Sequence, residues 1–309
     1  MSNLNISLNK AVFSTSTNLG TGTKGAKAFF KKAKKFYLVE ADHVFDGSID
    51  WTDEHVNGLV AAQKIIVLED VAAVEPEDVQ NSYEDIGDGV TDLDTEGLFG
   101  LKIKFRKGMY FSKVLQSLSG VGRFDLMASD GEGKLIGTFA DDGISLKGYK
   151  LGVHQVELPE GQFDKNSTLQ IFKVQLLDSS EVYNYAIKYA DDSFNANNIS
   201  PVNEVKLELT TPSDGDTQVT VVASLRQGGE VFTGAAYGQW NVKINGATAN
   251  PTGGDDSGTE GTFVLTGVTA ISTSDVVSVS LYDNAENRSG IAVGGYIYKS
   301  STVSKTAVA

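Results

Sequence analysis

Between residues 202 and 300, short alternating apolar runs are separated by turn clusters at near-regular spacing, and this rhythm leaves few folds open. Val205–Leu209, Gln218–Leu225, Gln239–Ile244, Thr262–Leu265, Val276–Tyr282 and Ile291–Tyr298 each read as a strand. Runs this short cannot form long helices, and a two-residue period gives every strand one face to bury. Such strands stack as sheets. The 33 glycines and only 5 prolines of the 309 residues suit tight turns between them. Trp240, on the third run, has the bulk to plug the space between two sheets.

Six or seven short strands in a segment of this size have the rhythm of an immunoglobulin-like β-sandwich. The disulfide of antibody domains is missing, because the chain has no cysteine. That absence also excludes thiolate catalysis, cysteine zinc sites and a secreted disulfide scaffold. At 309 residues the chain has room for a second body before this one. The expected fold class is mainly β. It comprises an N-terminal sandwich or barrel-like domain with one or two short helices, followed by the immunoglobulin-like sandwich.

Residues 1–28 are rich in Ser, Thr, Asn and Gly and read as an extended arm, ordered only when something binds it. An assembly domain is expected over 29–190, a polar linker over 191–201, the sandwich over 202–300 and a tail over 301–309. Within the assembly domain, a strand is expected in Phe29–Val39 and another in Ile65–Leu68. A helix capped by Thr52 is expected near Thr52–Gln63, with Val56, Leu59 and Val60 on one face. Leu101, Ile103 and Phe105 alternate with Lys102, Lys104 and Arg106 as a half-buried strand. Phe111, Val114, Leu115 and Leu118 mark the clearest helix, with Gly120 where a C-terminal cap belongs. Phe124–Ala128 and Leu135–Ala140 flank a hairpin turn at 129–133, and Ile144–Leu158 pairs with Leu169–Leu177. Glu75–Asp94 is too polar for a core and reads as a long exposed loop.

The formal net charge of −14 argues against general nucleic-acid binding, and no sequence-specific nucleic-acid site is expected. The charge is unevenly distributed. Lys24, Lys27, Lys31, Lys32, Lys34 and Lys35 cluster, whereas eleven acidic residues and no Lys or Arg lie between Glu69 and Glu96. A basic arm on an acidic protein is more often a subunit contact than a phosphate site. Its expected partners on a neighbouring copy are Glu75, Glu77, Asp78, Glu84 and Asp85. Asp85, Asp88, Asp92, Asp94 and Glu96 suggest calcium, but Gly87, Gly89 and Val90 break the EF-hand template, so no metal is assigned. His55 with Asp50 and Asp53 reads as a helix start before a metal site. No nucleophile–base pair, phosphate loop or dinucleotide fingerprint occurs. No catalytic residue, cofactor or membrane-spanning run is assigned, and the chain reads as a non-enzyme. Met1–Lys10 lacks an apolar signal region, so assembly in the cytoplasm is expected.

Residues Gly97–Phe105, the helix Tyr110–Gly120 and the hairpin Phe124–Gly131 resemble segments of tailed-bacteriophage virion structural proteins. The order of elements is similar to that of the tail tube family. The resemblance implies a β-sandwich that closes into rings, one flanking helix and a long loop that docks on the next ring. It also implies an acidic lumen and an outward immunoglobulin-like domain, which would meet host-surface glycans through residues 202–300. The partners would be copies of the chain and other virion proteins, and the place would be the virion. The N-terminal part exceeds a minimal tube domain, which leaves a capsid auxiliary or decoration role as an alternative. A surface-binding or adhesin module is the second alternative, and it should carry an export signal.

Overall fold

The computed structural model describes residues 6–8, 30–46, 51–77, 82–87, 90–95, 98–143, 145–160, 169–256 and 259–309. The protein is mainly β and divides into two compact units. One comprises Met1–Val56 with Ile65–Ile199, the other Asn57–Lys64 with Ser200–Ala309.

The first unit begins with strands β1 (Ile6–Leu8), β2 (Lys35–Glu40), β3 (Val44–Phe45), β4 (Ile65–Leu68) and β5 (Val71–Pro76). A hairpin of β6 (Ser82–Gly87) and β7 (Val90–Thr95) precedes β8 (Gly100–Phe105) and β9 (Gly120–Val121). Strands β10 (Phe124–Ser129), β11 (Leu135–Phe139), β12 (Leu146–Lys147), β13 (Tyr149–Glu160), β14 (Leu169–Leu176) and β15 (Tyr185–Lys188) complete it.

Strand β10 is the branch point. Its whole length pairs with β2, from Phe124 opposite Glu40 to Ser129 opposite Lys35. Its other edge is shared: Asp125 and Leu126 pair with β13, while Ala128 and Ser129 pair with β11. One limb therefore continues through β13, β14 and β8 to β5, and another through β11 and β15 to β1. The branched sheet uses both faces of its middle. Phe36, Leu38, Leu126 and Ala128 join Phe172, Ile103 and Leu115 in one core. Tyr37, between them in sequence, donates from the opposite face to the Ala196 carbonyl at 2.8 Å. The unbroken apolar run Phe36–Val39 is what a strand covered on both faces requires.

Helix α1 (Asp53–Ala61) starts where Thr52 Oγ1 accepts the His55 amide at 3.1 Å, the cap expected from sequence. Helix α2 (Met109–Leu118) buries Leu115 completely and sets Phe111 against Phe105. Its end differs from expectation. Ser119 closes the helix in extended conformation (φ −61°, ψ 145°), and Gly120 already belongs to β9. A chain that passes straight into a strand needs no left-handed cap, and the positive φ falls instead on Gly122 at +61°.

Three further expectations are corrected. The long loop Glu75–Asp94 contains the end of β5 and the antiparallel pair β6–β7. Gly87 pairs with Val90, leaving Asp88-Gly89 between them, and that dipeptide is a strong two-residue hairpin signal hidden by the acidic composition. Residues 191–199, expected as linker, are built into the first unit: Phe194, Ala196 and Ile199 are buried, and Trp51 meets Phe194 at 5.4 Å. The arm also carries structure, since Ile6–Leu8 pairs with β15; residues 1–5 and 9–29 lie outside the described residues.

The second unit contains β16 (Val202–Leu209), β17 (Gln218–Leu225), β18 (Trp240–Ile244), β19 (Ala247–Thr248) and β20 (Gly253–Asp256). It continues with β21 (Thr262–Thr266), β22 (Val276–Leu281), β23 (Ile291–Val293), β24 (Tyr296–Ser300) and β25 (Val303–Thr306). One sheet runs β20-β21-β17-β16-β24-β23 and the other β19-β18-β22-β25. Successive strands fall on the sheets as in an immunoglobulin-like sandwich, with the β23–β24 hairpin as an addition. The run Ile291–Tyr298, expected as one strand, turns back at Gly294 and Gly295, both at positive φ. The expected tail supplies β25, which pairs with β22; its polar Val-Ser-Lys-Thr sequence concealed it.

Trp240 is fully buried with Phe263 at 4.9 Å, and no hydrogen-bond partner meets its indole N–H. Replacing it tests whether bulk or polarity matters there. Trp240→Ala should cost about 3–5 kcal/mol. Trp240→Phe, which also removes the unpaired donor, should cost less than about 2 kcal/mol. Chemical denaturation followed by far-UV circular dichroism measures both; equal losses would refute the packing account.

Candidate assembly surface

Four strands of the first unit lay charged side chains across one sheet face. On β8, Leu101, Ile103 and Phe105 point into the core, so Lys102 and Lys104 stand on the other side. Lys104 meets Glu75 of β5 at 2.8 Å, and Lys102 meets Glu157 of β13 at 3.4 Å. Lys173 of β14 lies between two acids, Glu77 at 2.5 Å and Glu157 at 2.7 Å. Glu157 thus links two lysines, and Lys173 two glutamates, in a lattice running from β5 to β13. Hydrogen bonding to Lys173 holds the Glu157 carboxyl below its ordinary range, and Glu157 and then Glu77 hold Lys173 above its own. At the β4–β5 corner Lys107 sits 3.0 Å from Glu69 and 2.9 Å from Asp70. Burial opposes the Lys107 charge, but hydrogen bonds to the two acids outweigh it.

The structure places the expected contact residues unevenly. Glu75 and Glu77 are paired within the chain, with Lys104 and Lys173. Lys35 is half-buried and donates to the carbonyls of Asn197 at 2.8 Å and Ile199 at 2.7 Å. Burial lowers its pKa, against the pull of Glu69 and Asp70. Lys32 and Lys34 are exposed on either side of buried Ala33, and Lys31 belongs to the 3-10 turn Phe30–Lys32. Lys24, Lys27 and Asp78 lie outside the described residues. Glu84 and Asp85 are on β6, where Glu84 stands opposite Asp92 of β7. Of the calcium candidates, Asp85, Asp92 and Asp94 are hairpin residues, and Asp88 and Glu96 lie outside the described residues. Among the described residues, no three His, Asp or Glu side chains gather as a metal site requires.

Asp53 works as a clasp: its carboxylate accepts the Asn195 amide at 2.7 Å and Asn198 Nδ2 at 2.6 Å. With the Tyr37 and Lys35 hydrogen bonds and the burial of Phe194 and Ile199, it helps to pin the 191–199 segment. Spacing gave no hint of it, because the partners are far apart in sequence.

Two buried ionisable groups also escaped the sequence reading. Asp125 is 2% exposed on β10 and accepts the Asp42 amide at 3.0 Å. Desolvation is the main reason its pKa rises to about 6, with the Asp42 and Glu181 charges adding to it and Lys150 opposing. Lys150 itself is engaged by Asp42 at 2.6 Å. Gly148 completes the arrangement, because a Cβ there would lie 2.6 Å from that of Asp125. His154 on β13 is wholly buried between Phe124 and Phe172, with neither ring nitrogen in hydrogen-bond geometry. Burial lowers its pKa, and the Arg123 charge acts in the same sense. A carboxyl inside an alternating strand looks like any solvent-facing residue, so neither position announces itself.

No protein-family model matches the chain, no curated protein matches it, and no solved structure matches it.

The raised Asp125 pKa has a definite sign. A folded value of about 6 against an ordinary 3.8 means the folded state holds the proton more tightly. Stability therefore declines as pH rises from about 4 through 6 and levels off above. Asp125→Asn should stabilise the protein at pH 8 by at most about 2–3 kcal/mol, with the gain vanishing toward pH 4. Denaturant titrations at several pH values measure this, and a pH-independent gain would refute the assignment.

Proposed function

We propose that this chain is a structural subunit of a tailed-phage virion, most closely a tail tube or tail-associated protein that polymerises through its first unit. The observation that carries the reading is the pair of open sheet edges. Among the described residues, β4 pairs only with β2 and β5 only with β8, so these two consecutive strands each leave one edge unpaired. Unpaired N–H and C=O groups along an edge are templates for pairing with another chain. Closed rings satisfy them. The charge lattice of β5, β8, β14 and β13 supports the same reading, because it borders the β5 edge. Exposed ion pairs contribute only about 0–1 kcal/mol each. Their role here is register and solubility of the first unit.

The immunoglobulin-like unit fits an outward appendage, with host-surface glycans as its partner class. The proposed place of the protein is the virion, assembled in the host cytoplasm, with no enzymatic step. The size of the first unit supports a second reading, a capsid decoration protein whose N-terminal body grips the lattice.

Negative-stain microscopy of the purified chain separates the two. Rings or tubes are expected for a tail subunit. A strictly monomeric or trimeric particle at high concentration would refute ring assembly and favour decoration.

A further inference from the structure

The edge of β15 carries a strand from far upstream. Ile6, Ser7 and Leu8 pair with Lys188, Ile187 and Ala186 in antiparallel register. On its other side β15 pairs with β11 over all four residues, Tyr185 to Lys188. Without β1, the four-residue β15 would itself be an outer edge, and β1 closes that limb of the sheet.

The attachment is short, with three paired positions. Strand addition of this kind works through backbone hydrogen bonds and tolerates many sequences. The next described element after β1 is the turn Phe30–Lys32, and residues 9–29 connect them. That connection can reach roughly 70 Å when fully extended, at about 3.3 Å per residue. Its length therefore permits the home β15 and the β15 of an adjoining copy alike. The contacts are the same in either place, so exchange sacrifices no pairing.

We infer that β1 is an exchangeable strand: in the assembled state it occupies the β15 edge of a second copy. The inference rests on the assembly reading above, and it names the partner of the N-terminal arm as another copy's Tyr185–Lys188. In dilute solution β1 lies on its own β15. On polymerisation it crosses over, and each copy becomes both donor and acceptor.

The absence of cysteine makes the test clean. Leu8→Cys and Ala186→Cys place thiols at directly opposed positions, within disulfide reach for an antiparallel pair. One single variant carries a mass tag, and the two are mixed at assembling concentration, oxidised and resolved by non-reducing electrophoresis. The expected result is a mixed dimer as the main crosslinked product, lost on dilution before oxidation. The double variant should crosslink internally when dilute and give a ladder when assembled. Internal crosslinking alone, with no mixed dimer, would overturn exchange; no crosslink in either arrangement would overturn the β1–β15 pairing. Ser7→Cys with Ile187→Cys serves as a second pair if Ala186→Cys fails to fold. Rings without mixed dimers would sink exchange while sparing the ring reading, and mixed dimers without rings would do the reverse.

Discussion

Strand β10 shares its backbone among three neighbours, and the layout of the first unit follows from that sharing. A strand has two edges, so a third partner can join only where the first two leave room. Here β13 takes the start of one edge and β11 takes its end, while β2 holds the other edge throughout. The sheet therefore forks, and β2, β10 and the limb through β13, β14 and β8 share a core that includes Leu115 of α2. The core lies on one face of β2 and the 191–199 segment meets the other, where Tyr37 donates to Ala196, which explains why Phe36 to Val39 are all inside. It also explains where Asp125 had to go: on a strand covered from both sides, a carboxylate has no route to bulk water.

Electrostatics follow the same geometry. Along β8 burial alternates from Leu101 to Phe105, and the face of β5, β8, β14 and β13 that bears Lys102 and Lys104 carries a lattice of both signs. Glu157 and Lys173 each bridge two partners, so the loss of one charge would leave others only partly compensated. Near the fork, burial replaces hydration, and groups such as His154 and Asp125 shift toward their neutral forms. One sheet thus holds both a charged exterior and a set of suppressed charges.

Much of the second unit was legible in the sequence because its strands alternate cleanly and its turns are rich in glycine. Trp240 could be assigned to the core from size alone. Misreadings there arose where polarity imitated disorder: β25 reads Val-Ser-Lys-Thr, and the Gly294-Gly295 reversal lies inside an apolar run. In the first unit, α1, α2, β8 and the β10–β11 hairpin were legible from period and caps. The β6–β7 pair was not, since its acidic residues outweighed the Asp-Gly turn signal. The 191–199 segment was misjudged because Phe194 and Ile199 are isolated among polar residues, and the Asp53 clasp that holds them is a long-range contact. As for the charged surface, Glu75 and Glu77 were expected to meet lysines of a neighbouring copy, whereas the structure pairs them within the chain. Their partners on β8 and β14 could not be seen without the register of the sheet.

The fork at β10 also sets a timetable. Its partners lie at residues 35–40, 135–136 and 149–150, so no local stretch of chain can complete it. Pairings this far apart in sequence slow folding, because loop closure must come before the contacts that repay it. While the ribosome is still delivering β13, β2 and β10 can meet, but half of one β10 edge stays empty. A protein that leaves the β4 and β5 edges unpaired when folded, among the described residues, thus passes through a stage with still more edges open. Crowded newly made chains would then be in danger of joining at the wrong strand.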